Sequence, residues 1–142
     1  KAEGILQGCA YDAISYRKLI GAEDIAILAD IYDRTGQPLG EMPLVEAAHS
    51  ASVYCKANGL IVTGLSFPES IEMLQEVKKA KLDVPIFLGG GANEENIKEA
   101  LQFCNGVIVS SSFKPISGWT KKSILAEWDY DRIARFMQAV ND

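Results

Sequence analysis

Histidine is almost missing from this sequence: His49 stands alone. It falls inside a helix-like stretch away from the strand ends, so no Ser-His-Asp or Cys-His relay can be assembled from this chain by itself. Cysteine is scarce too. Cys9, Cys55 and Cys104 are far apart, odd in number and never spaced as CxxC. That pattern suggests neither a disulfide framework nor a zinc site, and a reducing cytoplasm fits it best. Each cysteine reads as a small buried thiol in a helix-like segment. No metal-ligand spacing is present, and no fingerprint names a cofactor. Positive charge is short as well: 14 Lys and Arg against 19 Asp and Glu leave a net charge of −5. The scattered bases argue against a nucleic-acid footprint, although a local cation can still serve a small anion. No apolar run reaches the roughly 20 residues that a membrane helix needs, so no integral membrane segment is expected. The chain opens on Lys1 with no targeting segment, so a soluble cytoplasmic protein is expected.

What the sequence does contain is a repeated unit. A helix is predicted from Glu3 to Ile20, stopped by Gly21. DIAILADIY follows at Asp24–Tyr32, and its continuous apolar centre from Ile25 to Ala29 predicts a strand buried on both faces. Gln37 to Pro43 is a Gly/Pro loop, and Pro43 opens a helix to Ala57 that Asn58-Gly59 closes. The unit recurs as LIVTG at Leu60–Gly64 with an amphipathic helix from Glu69 to Lys81, whose Ile71, Leu74 and Val77 share one side. It recurs again as VPIFLGG with a helix from Asn93 to Phe103. GVIVSSS at Gly106–Ser112 is the fourth strand. After an irregular stretch from Pro115 to Glu127, Asp129–Val140 reads as a last helix with Ile133, Phe136, Met137 and Val140 turned inward.

Strict alternation of short strands and helices requires parallel strands with right-handed crossovers. An open doubly wound sheet and part of a (β/α)₈ TIM barrel both satisfy it. A doubly wound sheet usually carries its glycine fingerprint after the first strand. Here the glycines follow the third. A complete barrel takes about 250 residues, so this single domain of 142 residues is expected to be half a barrel, strands five to eight, of the phosphate-binding type.

The third and fourth strand ends carry the chemistry. Gly89, Gly90 and Gly91 strip the β-carbons from the first, so backbone N–H groups can approach an anion, and Asn93 then caps a helix. Ser110, Ser111 and Ser112 bring hydroxyls and amides to the second, with Lys114 as an available cation held extended by Pro115. Strands seven and eight are where barrel phosphate sites usually lie. The same six residues can serve packing instead, since glycines allow close helix–strand approach.

The ordered segments ADIYDRT, ANGLIVTGL, VPIFLGGGANEENI, NGVIVSSSFK and DYDRIARFMQAV resemble the C-terminal half of the BtpA family, which includes photosystem I biogenesis proteins and SgcQ-like proteins. The resemblance runs from about Gly4 to the end. It implies a TIM barrel of the phosphate-binding superfamily without a firmly assigned reaction, and phosphate contacts at Gly89–Gly91 and Ser110–Ser112. Family members commonly carry His and Lys after the fifth-strand Asp, whereas this chain has Tyr32, Asp33, Arg34 and Thr35.

Asp30 closes its strand at the face where barrel catalytic residues sit, and is the candidate base. Arg34 is a candidate anion clamp, Thr63 and Ser66 are candidate substrate contacts, and Trp119 and Trp128 flank a segment that can cover the mouth. The expected ligand is a phosphorylated small metabolite, a sugar phosphate or nucleotide-like molecule, anchored for a lyase, isomerase or nucleosidase-like step. Flavin phosphate fits the same cradle, but no flavin-ring signature accompanies it. The rival reading, implied by the resemblance, is a non-catalytic assembly or stability factor. A half barrel leaves two bare strand edges, so a missing N-terminal half or a homo-oligomer is expected.

Overall fold

The computed structural model describes residues 4–36, 38–40, 42–116, 118 and 120–142. Within them the chain is an α/β protein with a parallel four-stranded sheet in the order β1-β2-β3-β4: β1 Leu28–Asp30, β2 Gly59–Val62, β3 Ile86–Leu88 and β4 Gly106–Val107. The strand order follows the chain without reversal. A doubly wound sheet reverses at its switch point, and this unreversed parallel order is consistent with a partial TIM-barrel-like fold.

Successive strand side chains point to opposite faces, and the register turns that alternation into two layers. Leu60 pairs with Ile86, Val62 with Leu88 and Leu88 with Val107. Leu60, Val62 and Leu88 are fully buried and Ile86 nearly so, beneath Leu74 and Val77 of α3 (Phe67–Lys79), Ile97 of α4 (Ile97–Ala100) and Phe136 of α6 (Tyr130–Asn141). The opposite face carries Leu28, Ile61, Phe87 and Ile108, which remain half-buried or exposed.

Local chemistry explains the helix starts. Ser66 accepts a hydrogen bond from the Glu69 amide at 3.3 Å and Pro68 sits in the first turn, so α3 begins one residue before the loop proline. Asp129 caps α6 through the Arg132 amide at 3.1 Å.

Several expectations are corrected. Only Leu28–Asp30 forms a strand in the Asp24–Tyr32 run, and Ile25 and Leu28 are 59% and 42% exposed rather than buried on both faces. Among the described residues β1 is an edge strand, with no neighbour on its outer side to cover them. The helix predicted from Pro43 to Ala57 is α2 (Leu44–His49) continuing as a π-helical turn at Ser50–Tyr54. The helix expected over Asn93–Phe103 narrows to the single α-turn of α4, with turns on either side. The stretch read as irregular contains α5 (Lys121–Leu125), opened by a capping box between Thr120 and Ser123. Met137 faces solvent, not the core. Cys9 is exposed at the start of α1 (Ala10–Leu19), while Cys55 and Cys104 are half-buried. Trp119 and the start of the first predicted helix at Glu3 lie outside the described residues, as does Gln37 of the loop.

Candidate functional site

The parallel strands end together, so the loops after β1, β2, β3 and β4 form one rim. Asp30 is the last residue of β1. Partial burial lifts its carboxyl above the ordinary range, and the nearby Asp33 charge adds to the effect. A carboxyl that binds its proton more tightly when folded contributes stability at low pH, and that contribution is lost as pH rises through its folded pKa. Asp30→Asn is therefore expected to be slightly stabilising at about pH 7, with the difference gone at about pH 3, as read by urea denaturation at both values.

Behind Asp30, the Asp33 carboxylate accepts from the Thr35 amide at 2.9 Å and from its hydroxyl at 2.8 Å, which folds the loop into a tight turn. That turn aims Arg34 across the rim. Its Nη1 lies 3.9 Å from the position a β-carbon on Gly90 would occupy. Arg34 is half-buried, and among the described residues no hydrogen bond or ion pair holds its guanidinium.

The three glycines divide the work. Gly89 still belongs to the sheet, its amide donating to Val62 O at 2.9 Å, and a β-carbon there would overlap the Thr63 hydroxyl. Thr63 is buried on top of Gly89, with its methyl 3.7 Å from the Gly90 β-carbon position. Gly91 has φ +83°, a backbone that side chains rarely adopt, and its carbonyl accepts from Asn96 Nδ2 at 3.0 Å. Asn93 caps the following turn through the Glu95 and Asn96 amides. Among the described residues, the amides of Gly90 and Gly91 have no acceptor.

The fourth strand end meets the third. Ser112 Oγ donates to Ala92 O at 2.6 Å, joining the two loops. Ser111–Phe113 forms a 3₁₀ turn, and the opening amides of such a turn have no intrahelical partner. Lys114, expected as a substrate cation, has its ammonium on Ile124 O at 2.9 Å and Ala126 O at 2.6 Å, with Nζ 4.4 Å from the Trp128 ring centroid. It clasps the segment after β4 rather than entering the rim. Trp128 is 47% exposed beneath that cation.

Two clefts adjoin the rim. One, of about 380 Å³, lies between Asn93, Ser111, Ser112 and the α6 residues Arg132, Arg135 and Phe136. Arg135 pairs with Glu94 at 2.8 Å and Arg132 with Asp129 at 3.2 Å. Sequence reasoning missed both arginines; their i, i+3 spacing on the polar side of a capped helix was the available signal. The other cleft, about 720 Å³ and more apolar, is formed by Ile5, Leu6, Ile31, Tyr32, Leu39 and Met42 beside the β1 loop.

The BtpA family model matches residues 1–142, the whole chain. The chain belongs to the BtpA family. Among its relatives, the photosystem I biogenesis protein BtpA of Synechocystis is 36% identical over 79% of this chain and 39% of its own length. A mitochondrial protein of Caenorhabditis elegans is 35% identical over 98% of this chain and 49% of its own length. The putative sgc region protein SgcQ of Escherichia coli is 25% identical over 92% of this chain and 47% of its own length. This BtpA-family chain thus spans about half the length of the relatives it matches. Among the described residues, no helix is long and apolar enough to cross a membrane.

Proposed function

We propose that this BtpA-family chain holds the phosphate of a small phosphorylated metabolite at the ends of β3 and β4, and that the site belongs to an enzyme acting on that metabolite. The observation that carries this reading is Arg34: a half-buried guanidinium without a partner among the described residues, set over a glycine whose amide, like its neighbour's, has no acceptor. Unpaired N–H groups beside a cation are a phosphate receptor. The joined serine turn adds donors from the other side. The more apolar cleft beside Tyr32 offers room for the organic part, and Asp30 stands on the same rim as the acid–base group. Energy from holding the phosphate would orient the reacting part near Asp30.

Calorimetric titration with inorganic phosphate tests the reading. Saturable binding is expected, and Arg34→Ala should weaken it by about tenfold to a hundredfold, because a charge-assisted contact contributes about 1.5–3 kcal/mol. Arg34→Lys should restore part of the loss. A chain that ignores phosphate, or an Arg34→Ala variant that binds it unchanged, sinks the proposal.

A second reading is a non-catalytic assembly or stability factor. The Synechocystis relative's name supports it, as do Tyr11, Tyr16 and Leu19, which stand exposed on α1. Failure of phosphate binding with retained folding would favour it.

A further inference from the structure

Among the described residues, the buried polar side chains are Thr63, Ser70 and Ser123. Two of them are fully engaged: Ser70 Oγ donates to Ser66 O at 2.8 Å and accepts from the Gly64 amide at 2.9 Å, and Ser123 Oγ serves the capping box of α5. Thr63 is different. It lies just past β2, a strand with a neighbour on each side, and is 8% exposed, yet no donor or acceptor among the described residues meets its hydroxyl. No fully sealed side-chain nitrogen or oxygen among them lacks a partner, so this hydroxyl keeps an opening to solvent. Enclosing a hydroxyl without a partner is unfavourable, and an apolar side chain of similar shape avoids the loss. A ligand that reaches the opening supplies the missing partner.

Register fixes where that opening lies. Asp30 pairs with Ile61 and Ile61 with Phe87, and the Gly89 amide donates to Val62 O at 2.9 Å, which carries the β2–β3 ladder one step further. Thr63 therefore shares a face with Ile61 and Asp30 and stands two residues nearer the rim, on the strand between β1 and β3. Its hydroxyl lies over Gly89, and its methyl and Arg34 Nη1 flank the Gly90 β-carbon position at 3.7 and 3.9 Å. A phosphate ester anchored by Arg34 and the glycine amides, with its reacting part toward Asp30, passes Thr63 on the way.

We infer that the Thr63 hydroxyl hydrogen-bonds an oxygen on the carbon chain next to the anchored phosphate, so that the ligand is a sugar or polyol phosphate and not a plain alkyl or aryl phosphate. This assignment rests on the phosphate cradle proposed above and adds the polarity of what the phosphate carries. A site holding an unpaired hydroxyl discriminates against an analogue without the matching group, because that analogue leaves the hydroxyl unpaired. Gly89 gains a reason as well: only the missing β-carbon lets the hydroxyl lie where it does.

Calorimetric titration with inorganic phosphate, n-propyl phosphate and glycerol phosphate tests it. The two esters carry the same charge and differ in their hydroxyls. The parent chain should bind glycerol phosphate at least about fivefold more tightly than n-propyl phosphate. Thr63→Val should abolish that preference and Thr63→Ser should keep it, while both bind inorganic phosphate as the parent does. Thr63→Ala should behave like Thr63→Val, so a folding failure in one, read by far-UV circular dichroism, leaves the other to decide. A parent that binds inorganic phosphate and both esters without preferring the hydroxylated one overturns the inference and leaves the cradle standing. A preference that survives Thr63→Val and Thr63→Ala overturns it, and so does a Thr63→Val variant that loses inorganic phosphate, because the hydroxyl then contacts the phosphate itself. If none of the three ligands binds, the cradle fails and the inference falls with it.

Discussion

Leu88→Ala is expected to lower the unfolding free energy by about 3 kcal/mol, measured by urea denaturation of the whole chain. Leu88 is fully buried on β3, a strand with neighbours on both sides, opposite Val62 and Val107 in register. The cavity cannot collapse easily. Val62 and Val107 are fixed by their own ladders, and the helices above are held to the same sheet by Leu74 and Ile97. The deletion therefore loses both transfer energy and contacts around a persistent void. A domain stable by about 5–15 kcal/mol loses a large share of its margin from such a change. Leu28→Ala, on an edge strand and 42% exposed, should change stability by well under half as much. Equal effects at the two positions would mean that the layer assignment is wrong.

The same contrast explains what could be read from the sequence. Each buried strand position in the middle of the sheet comes from a continuous apolar run, and LIVTG and VPIFLGG are legible because Leu60, Val62, Ile86 and Leu88 are buried under the helices while Ile61 and Phe87 are half-buried on the other face. α3 was legible for another reason: Ile71, Leu74 and Val77 repeat at helical spacing and all are buried. The run at Ile25–Ala29 has the same composition as the central strands, yet it becomes a short edge strand. Composition records what a segment is suited to bury, whereas burial depends on a neighbour that lies across the edge.

Side-chain destinations at the rim were less legible. Lys114 and Arg34 are both cations one short loop beyond a strand, and nothing in spacing separates them. The difference lies in what folds back. The carbonyls of Ile124 and Ala126 come within reach of Lys114, because Asp129 N donates to Phe113 O at 2.9 Å and draws that later segment against the β4 loop. No comparable segment reaches Arg34 among the described residues. Likewise, three consecutive glycines look alike in sequence, but only the close approach of Thr63, the open space at Gly90 and the positive φ of Gly91 show that they serve three purposes.

That division makes Gly89→Val the sharpest test of the rim. The new side chain would overlap the Thr63 hydroxyl and lie 2.6 Å from the Ile61 methyl, in a strand end whose amide is tied to Val62. Neither neighbour can retreat freely: Thr63 is buried, and Ile61 is set by pairing with Phe87 and Asp30. Overpacking of this type is expected to destabilise by about 3 kcal/mol in urea denaturation. Thr63→Ala in the same chain should recover at least about 1 kcal/mol, because directly touching residues couple. Gly90→Ala should behave in the opposite way. Its nearest neighbours would be 3.7 and 3.9 Å away, ordinary contact distances, so stability should stay within about 1 kcal/mol of the parent. The added methyl nevertheless stands 3.9 Å from the Arg34 guanidinium, taking up space that a bound anion would use. Phosphate affinity should therefore fall for Gly90→Ala with the fold intact, separating a glycine kept for packing from one kept for a ligand. If Gly90→Ala binds phosphate as the parent does, the glycine run is a packing device throughout and the cradle lies elsewhere on the rim.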